Sequence, residues 1–166
     1  MTDGTIETRP DGTYVLRYER RLRHPIERVW AAITEPDRIE AWLARAELDL
    51  TEGGRVHLEW LNTDEDGNRA VADGRVTRLD PPRVIEYDTD IHGLLRWELR
   101  PEGDATHLTL TVAAELPDEH VAKVRAGWHV HIDFLEDALD GRPVDWSDWP
   151  MDRWEVHHER YLAAAR

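Results

Sequence analysis

The chain predicts an α+β fold, an antiparallel sheet of about seven strands with a long helix packed on it near the C-terminus. Two changes of period carry this. Over Thr13–Arg23 and most of Glu47–Ala113, apolar side chains recur at every second residue, as in strands with one face buried. The step then lengthens to three and four residues. Val121, Val124, Trp128, Ile132, Leu135 and Leu139 form an apolar stripe, while Lys123, Asp133, Glu136, Asp137 and Asp140 mostly occupy the remaining surface. A helix that follows a run of strands buries its stripe on the sheet they make.

The first strand is Thr13–Arg23, with Tyr14, Leu16, Tyr18 and Leu22 on one face and Arg17, Glu19, Arg21 and Arg23 mostly on the other. Arg20 breaks the alternation by falling on the apolar face. A guanidinium there requires a carboxylate, backbone carbonyls, a ligand or a route to the sheet margin, because an unpaired buried charge is too costly. Pro25 opens a short helix carrying Ile26, Val29, Trp30 and Ile33. Pro36 ends it before a second turn with Ile39, Trp42 and Leu43. The period of two returns in Glu47–Leu50, a Gly53-Gly54 turn, and Arg55–Leu61 with Val56, Leu58 and Trp60 inward. The polar stretch Asp64–Asn68 reads as a hairpin tip. Strands follow at Arg69–Leu79, Val84–Asp88, Leu94–Arg100 and Thr106–Ala113, separated by Asp80-Pro81-Pro82, an unpatterned stretch and Glu102-Gly103-Asp104.

Pro117-Asp118 starts the long helix, with Asp118 as its expected N-cap and Gly141 as its stop. Gly127 lies inside it, where glycine costs about 1 kcal/mol relative to alanine, so bare backbone there either admits a bulky neighbour or bends the helix over a cavity. After the Trp-rich linker 142–150, Trp154, His158 and Tyr161 share a helical stripe in Met151–Ala165, too aromatic to be free. It packs back on the domain, over one end of the sheet, or makes a homodimer contact. The division expected is a flexible segment 1–12, one folded domain 13–141, and the linker with its C-terminal helix 142–166.

The 166 residues suit one core. With no cysteine, disulfides, thiolate metal sites and cysteine nucleophiles are excluded. Met1–Glu7 has neither a basic start nor an apolar run, and no stretch of about twenty apolar residues occurs, so a cytoplasmic protein with no membrane partner is expected. Asp and Glu outnumber Lys and Arg by 35 to 21, a formal charge of -14 that repels phosphate backbones and argues against nucleic acid. Ser147, the lone serine, sits in the linker, which argues against a serine triad. Nine histidines invite a metal, yet His129 and His131 are two apart on a helix, pointing about 200° from one another, and no His-Glu-x-x-His run exists. No metal and no cofactor are expected.

Strand, two short helices, six strands and a long helix is the order of the helix-grip fold, in which a curved sheet wraps the C-terminal helix and leaves a cavity between them. Residues 25–36, Ala41-Trp42-Leu43, Glu52-Gly53-Gly54-Arg55, Gly74, Asp80-Pro81-Pro82-Arg83, Trp97-Glu98-Leu99, residues 106–110 and Gly127-Trp128 together resemble the SRPBCC superfamily, which includes START and Bet v allergen proteins. Within it they look like the branch of heat shock protein 90 ATPase activator homologs. The resemblance spans residues 13–141 and implies a cavity for a hydrophobic ligand without a shared catalytic motif.

Eight tryptophans against one phenylalanine suit such a cavity, since indoles combine bulk with a polar N–H. Trp60 and Trp97 lie on inward strand positions, Trp128 faces them from the helix, and Trp42 sits in the helical bracket that closes such cavities in the superfamily. Tyr18, Tyr87, His131, Ile132 and Leu135 complete the expected lining for a hydrophobic or aromatic small molecule. The alternative is that the indoles fill the core. His131, Arg20 and Tyr87 are the candidates for acid, base or anion clamp if the protein is instead a cyclase or hydrolase acting on a polyketide-like or aromatic substrate. For His131 the bland alternative is a partly exposed helix edge. A third possibility is a co-chaperone-like regulator using its acidic surface or the Trp146–Tyr161 tail.

Overall fold

A computed structural model describes residues 4–63 and 66–165. Asp64 and Glu65 of the expected hairpin tip lie outside the described residues. The elements are β1 (Thr5–Thr8), β2 (Thr13–Leu22), α1 (Ile26–Thr34), α2 (Pro36–Ile39), β3 (Ala44–Leu48), β4 (Arg55–Trp60), β5 (Val71–Asp80), β6 (Val84–Thr89), β7 (Gly93–Glu102), β8 (Ala105–Glu115), α3 (Val121–Leu139) and α4 (Met151–Ala164). The strands form one curved antiparallel sheet in the order β1-β2-β8-β7-β6-β5-β4-β3, with α3 against its concave face as in a helix-grip fold.

The sheet has eight strands, one more than the sequence pattern predicts, because part of the segment expected to be flexible pairs. Thr5–Thr8 bonds antiparallel to Arg17–Tyr14 and covers what would be the open edge of β2. All four side chains of β1 are exposed, so no apolar alternation marks it. β3 also begins earlier than expected and ends at Leu48, since Asp49 turns to bond Arg55 and Thr51.

Elsewhere the period of two selects the buried face. Leu16, Tyr18 and Leu22 from β2, Val56, Leu58 and Trp60 from β4, Leu95, Trp97 and Leu99 from β7, and Leu108, Leu110 and Val112 from β8 all point into the core. Pro25 is extended and precedes α1, and Pro36 occupies the start of α2, where its missing N–H would be unsatisfied anyway. The Trp42 indole then ties the bracket together by donating to the Ala32 carbonyl at 2.8 Å.

Asp118 does not cap α3. It accepts a hydrogen bond from the Tyr14 hydroxyl, and a short 3-10 turn, Asp118–His120, leads into the helix with no side-chain cap. The other end closes as expected. Gly141 takes a φ of +86°, its N–H bonds Ala138 and the Arg142 N–H bonds Asp137, which satisfies the last carbonyls in a Schellman arrangement.

Helix α4 lies along α3, not over an end of the sheet. Ala122 and Ala126 make room for the Tyr161 ring, whose oxygen meets the His129 Nδ1 at 2.7 Å and accepts from the Gly4 N–H at 2.8 Å. His157 bonds Asp133 at 2.7 Å, and Arg153 bonds Asp137 at 2.6 Å. Among the described residues no helix is long and apolar enough to cross a membrane.

Candidate functional site

Gly127 of α3 marks the most distinctive surface feature. A Cβ built on it would meet nothing within 4 Å, so the glycine is not there to admit a bulky neighbour. Two adjoining concavities open over it instead. The smaller, about 120 Å³, is lined by Trp60, Asn62, His92, Val124, Gly127, Trp128 and His131. The larger, about 450 Å³, shares Asn62, Gly127 and His131 and extends to Thr63, Asp66, Lys123, Val130, Trp149, Met151 and Trp154.

Each wall has a local cause. Trp60 ends β4 on an inward position, and the chain then leaves the ladder, which puts Asn62 at the rim. His92 sits in the turn between β6 and β7, its N–H bonded to the Thr89 hydroxyl, and its ring packs on Trp60 at 4.3 Å between centroids. Trp128 stands edge-on to Trp60 and His92, both at 6.0 Å. The linker reaches the site because Val144 bonds the Ala41 carbonyl and the Trp146 indole donates to the Glu40 carbonyl at 2.7 Å. Trp149 and Met151 follow as the outer wall.

Three polar side chains, Asn62, His92 and His131, line the smaller concavity. The His131 Nδ1 lies 2.9 Å from the Trp42 carbonyl, which can only accept, so the neutral ring carries its hydrogen on Nδ1 and a lone pair on Nε2. Burial pushes the His131 pKa down to about 4, opposed by that hydrogen bond and reinforced by nearby His92. Burial likewise pushes His92 down to about 4, against the nearby charge of Asp90. The Asn62 Oδ1 and the His92 Nε2 are buried with no hydrogen-bond partner among the described residues.

Of the expected cavity residues, Trp60, Trp128 and His131 line these concavities. The others do not, because they fill the interior with one another. Trp42 and Trp97 pack edge to face at 5.5 Å, Trp97 and Trp128 at 6.3 Å, and Ile132 and Leu135 are fully buried. Such aromatic pairs contribute about 0.5–1.5 kcal/mol each beyond their burial. Tyr18 is buried on the α4 side, donating to the Arg125 carbonyl at 2.8 Å. Tyr87 accepts from the Trp97 indole at 3.1 Å, and burial raises its pKa to about 12. His131 is only 4% exposed, not a helix-edge residue. Asn62, His92 and Trp149 escaped sequence reasoning, since none sits in a periodic pattern. Gly127, with Trp60, Trp128 and His131, was the signal that pointed here.

The three candidates for catalysis share no partner. His131 bonds Trp42, Tyr87 bonds Trp97, and Arg20 lies elsewhere, in a charged groove of about 640 Å³ between β2, α3 and α4. There Arg20 reaches Asp133 at 2.6 Å and Glu136 at 3.5 Å, so of the partners open to it carboxylates are what the structure supplies. Burial opposes the charge of Asp133, yet hydrogen bonds from His157 and Arg20 and the charges of Arg20 and His129 outweigh it and hold its pKa at about 2. The ligand atoms of His129, Asp133 and His157 lie within 4.8 Å of one another, a set able to hold a cation in principle. Both Asp133 oxygens are already engaged, by Arg20 and by His157, and the adjacent guanidinium disfavours a second positive charge. This larger groove is a self-paired ionic seam, whereas the recess over Gly127 combines apolar walls with unspent polar atoms.

Known structures share this architecture. CalU16 from Micromonospora echinospora superposes with a TM-score of 0.69 at 28% identity, covering 96% of this chain and 94% of that one. EF2215 from Enterococcus faecalis gives 0.72 at 16% identity, covering 98% and 92%. DynU16, from the dynemicin biosynthetic locus, gives 0.65 at 24% identity over 78% of this chain and 48% of its own. No curated protein matches in sequence. The model of the family described as "Activator of Hsp90 ATPase homolog 1-like protein" matches residues 23–140, from the end of β2 through the last residue before the Gly141 stop. The short helical bracket, the meander and the long helix are thus those of one family, and the chain belongs to the Activator of Hsp90 ATPase homolog 1-like proteins, in the SRPBCC superfamily.

Proposed function

We propose that the protein binds a small, largely apolar, aromatic molecule in the recess over Gly127, without a cofactor. The observation that carries this is the glycine itself. A mid-helix glycine forgoes about 1 kcal/mol, and here it neither relieves a clash nor adopts a positive φ. What it does is leave open the floor where two concavities meet. Indole walls from Trp60, Trp128, Trp149 and Trp154 offer stacking surface, and Asn62, His92 and His131 offer orientation. The binding place is therefore the flank of α3 facing the linker, while the indoles deeper in serve as a rigid back wall. The family resemblance to hydrophobic-ligand folds supports the same reading.

Native mass spectrometry of gently purified protein tests it, alongside Gly127→Leu, which projects a side chain into the recess. A co-purifying small molecule that is lost on denaturation and absent from Gly127→Leu is the expected result. A bound molecule retained undiminished by Gly127→Leu would place binding elsewhere and overturn the proposal.

A further inference from the structure

We infer that this recess selects its ligand by an aromatic hydroxyl group, held between the His131 imidazole and the Asn62 side chain with His92 at its margin. The inference rests on the binding reading above and specifies the ligand chemistry. Three polar groups, Asn62, His92 and His131, line the smaller recess. His131 spends its Nδ1 hydrogen on the Trp42 carbonyl at 2.9 Å, which leaves Nε2 as an acceptor. The Asn62 Oδ1 and the His92 Nε2 are buried without a partner among the described residues. Buried polar atoms are nearly always bonded, so two unpartnered ones beside the His131 acceptor around one recess point to a group that arrives with the ligand.

The chemistry of that group follows from what the walls can give and take. His131 can only accept, so the ligand must bring a donor. The Asn62 amide and the neutral His92 ring can each present a donor or an acceptor, through an amide flip or a change of tautomer. A hydroxyl both donates one hydrogen bond and accepts others, and so satisfies His131 and its neighbours from one point. An ether or an unsubstituted ring brings no donor. A carboxylate brings only lone pairs, and both imidazoles here remain neutral at pH 7. Around this point the walls are aromatic, with Trp60 and Trp128 edge to face at 6.0 Å, which suits a flat ring carrying the hydroxyl on its edge.

A pair of probes of equal ring size isolates the hydroxyl: 2-naphthol and 2-methoxynaphthalene, titrated calorimetrically at pH 7 into the full chain, with the indole N–H resonances followed by NMR. We expect 2-naphthol to bind about tenfold or more tightly than its methyl ether, because the ether brings no hydrogen for the His131 Nε2. His131→Phe should reduce that ratio to near one while the ether binds within about threefold of its wild-type affinity. Asn62→Leu should narrow the ratio as well, and it carries the test if His131→Phe does not fold. Equal affinity for the two probes overturns the hydroxyl inference and leaves the binding reading standing. A 2-naphthol preference that survives in both variants overturns the assignment of these residues. If neither probe binds and no indole resonance moves, the binding reading fails, and the inference falls with it.

Discussion

Replacing Gly127 with alanine should stabilise the protein, against the usual effect of mutating a glycine beside a binding site. In a helix interior alanine is favoured over glycine by about 0.8–1 kcal/mol, since glycine loses more backbone freedom on folding. The new methyl meets no heavy atom within 4 Å, so neither a clash nor a large burial gain alters that figure. Unfolding entropy of about 2.1 cal/mol/K per residue over 166 residues is about 0.35 kcal/mol/K, which converts the gain to a rise in Tm of about 3 °C. Differential scanning calorimetry reads this directly. Gly74→Ala is the contrast, because its Cβ would overlap the Asp88 carbonyl of the neighbouring strand and should lower Tm. A Gly127→Ala variant less stable than the wild type would refute the reasoning, since it would mean that the glycine is required by the fold and that the open space over it needs no functional explanation.

Acid should weaken the fold in two separate windows. His131, held at about 4 against an ordinary 6.5, binds its proton more readily when unfolded, so its contribution is complete above pH 6.5 and is lost as pH falls to about 4. The difference is up to about 3 kcal/mol. Denaturant titrations at pH 7 and 4.5 should show this slope, and a His131→Phe variant with an unchanged slope would refute it. Asp133, held at about 2, adds stability above its ordinary 3.8 that disappears only as pH falls from about 4 toward 2. Asp133→Asn removes the charged partner that Arg20, 8% exposed, holds at 2.6 Å and should cost about 3 kcal/mol in urea unfolding at pH 7. The double variant Arg20→Met/Asp133→Leu should recover most of that loss, and a double variant no better than the single would show that the pair itself holds α3 to β2. Trp128→Ala should cost about 3–5 kcal/mol by the same assay, because its ring packs against Trp60, Trp97 and His92 at once.

Local periodicity made much of the fold legible. A strand's facing residues and a helix's stripe are written within ten or twenty consecutive positions, so β2, β4, β7 and β8 could be read with their buried faces and α3 with the sheet-side part of its own, while its second buried face, Ala122, Ala126 and His129 against α4, could not; Pro25, Pro36 and Gly141 punctuated them. The same local reading put Arg20 on an apolar face and demanded a partner for it, without being able to name Asp133. It overreached where one pattern serves two ends. Inward indoles read equally as cavity lining and as core, and here Trp42 and Trp97 are core.

By itself, then, the chain's sequence determined the layers, the order of elements and the family, because those follow from residue spacing along the backbone and from an ordered set of short motifs. Tertiary structure alone decided that Thr5–Thr8 closes the sheet edge, that α4 lies along α3, and that the recess sits on the outer flank of α3. Each of those depends on segments brought together from far apart: β1 is specified by backbone hydrogen bonds, which carry no side-chain signature, and α4 by Tyr161 and His157 finding His129 and Asp133. The recess is the extreme case. Its walls come from the end of β4, the turn between β6 and β7, α3, the linker and the start of α4, and a concavity is the space that distant segments fail to fill, which no single stretch of residues encodes.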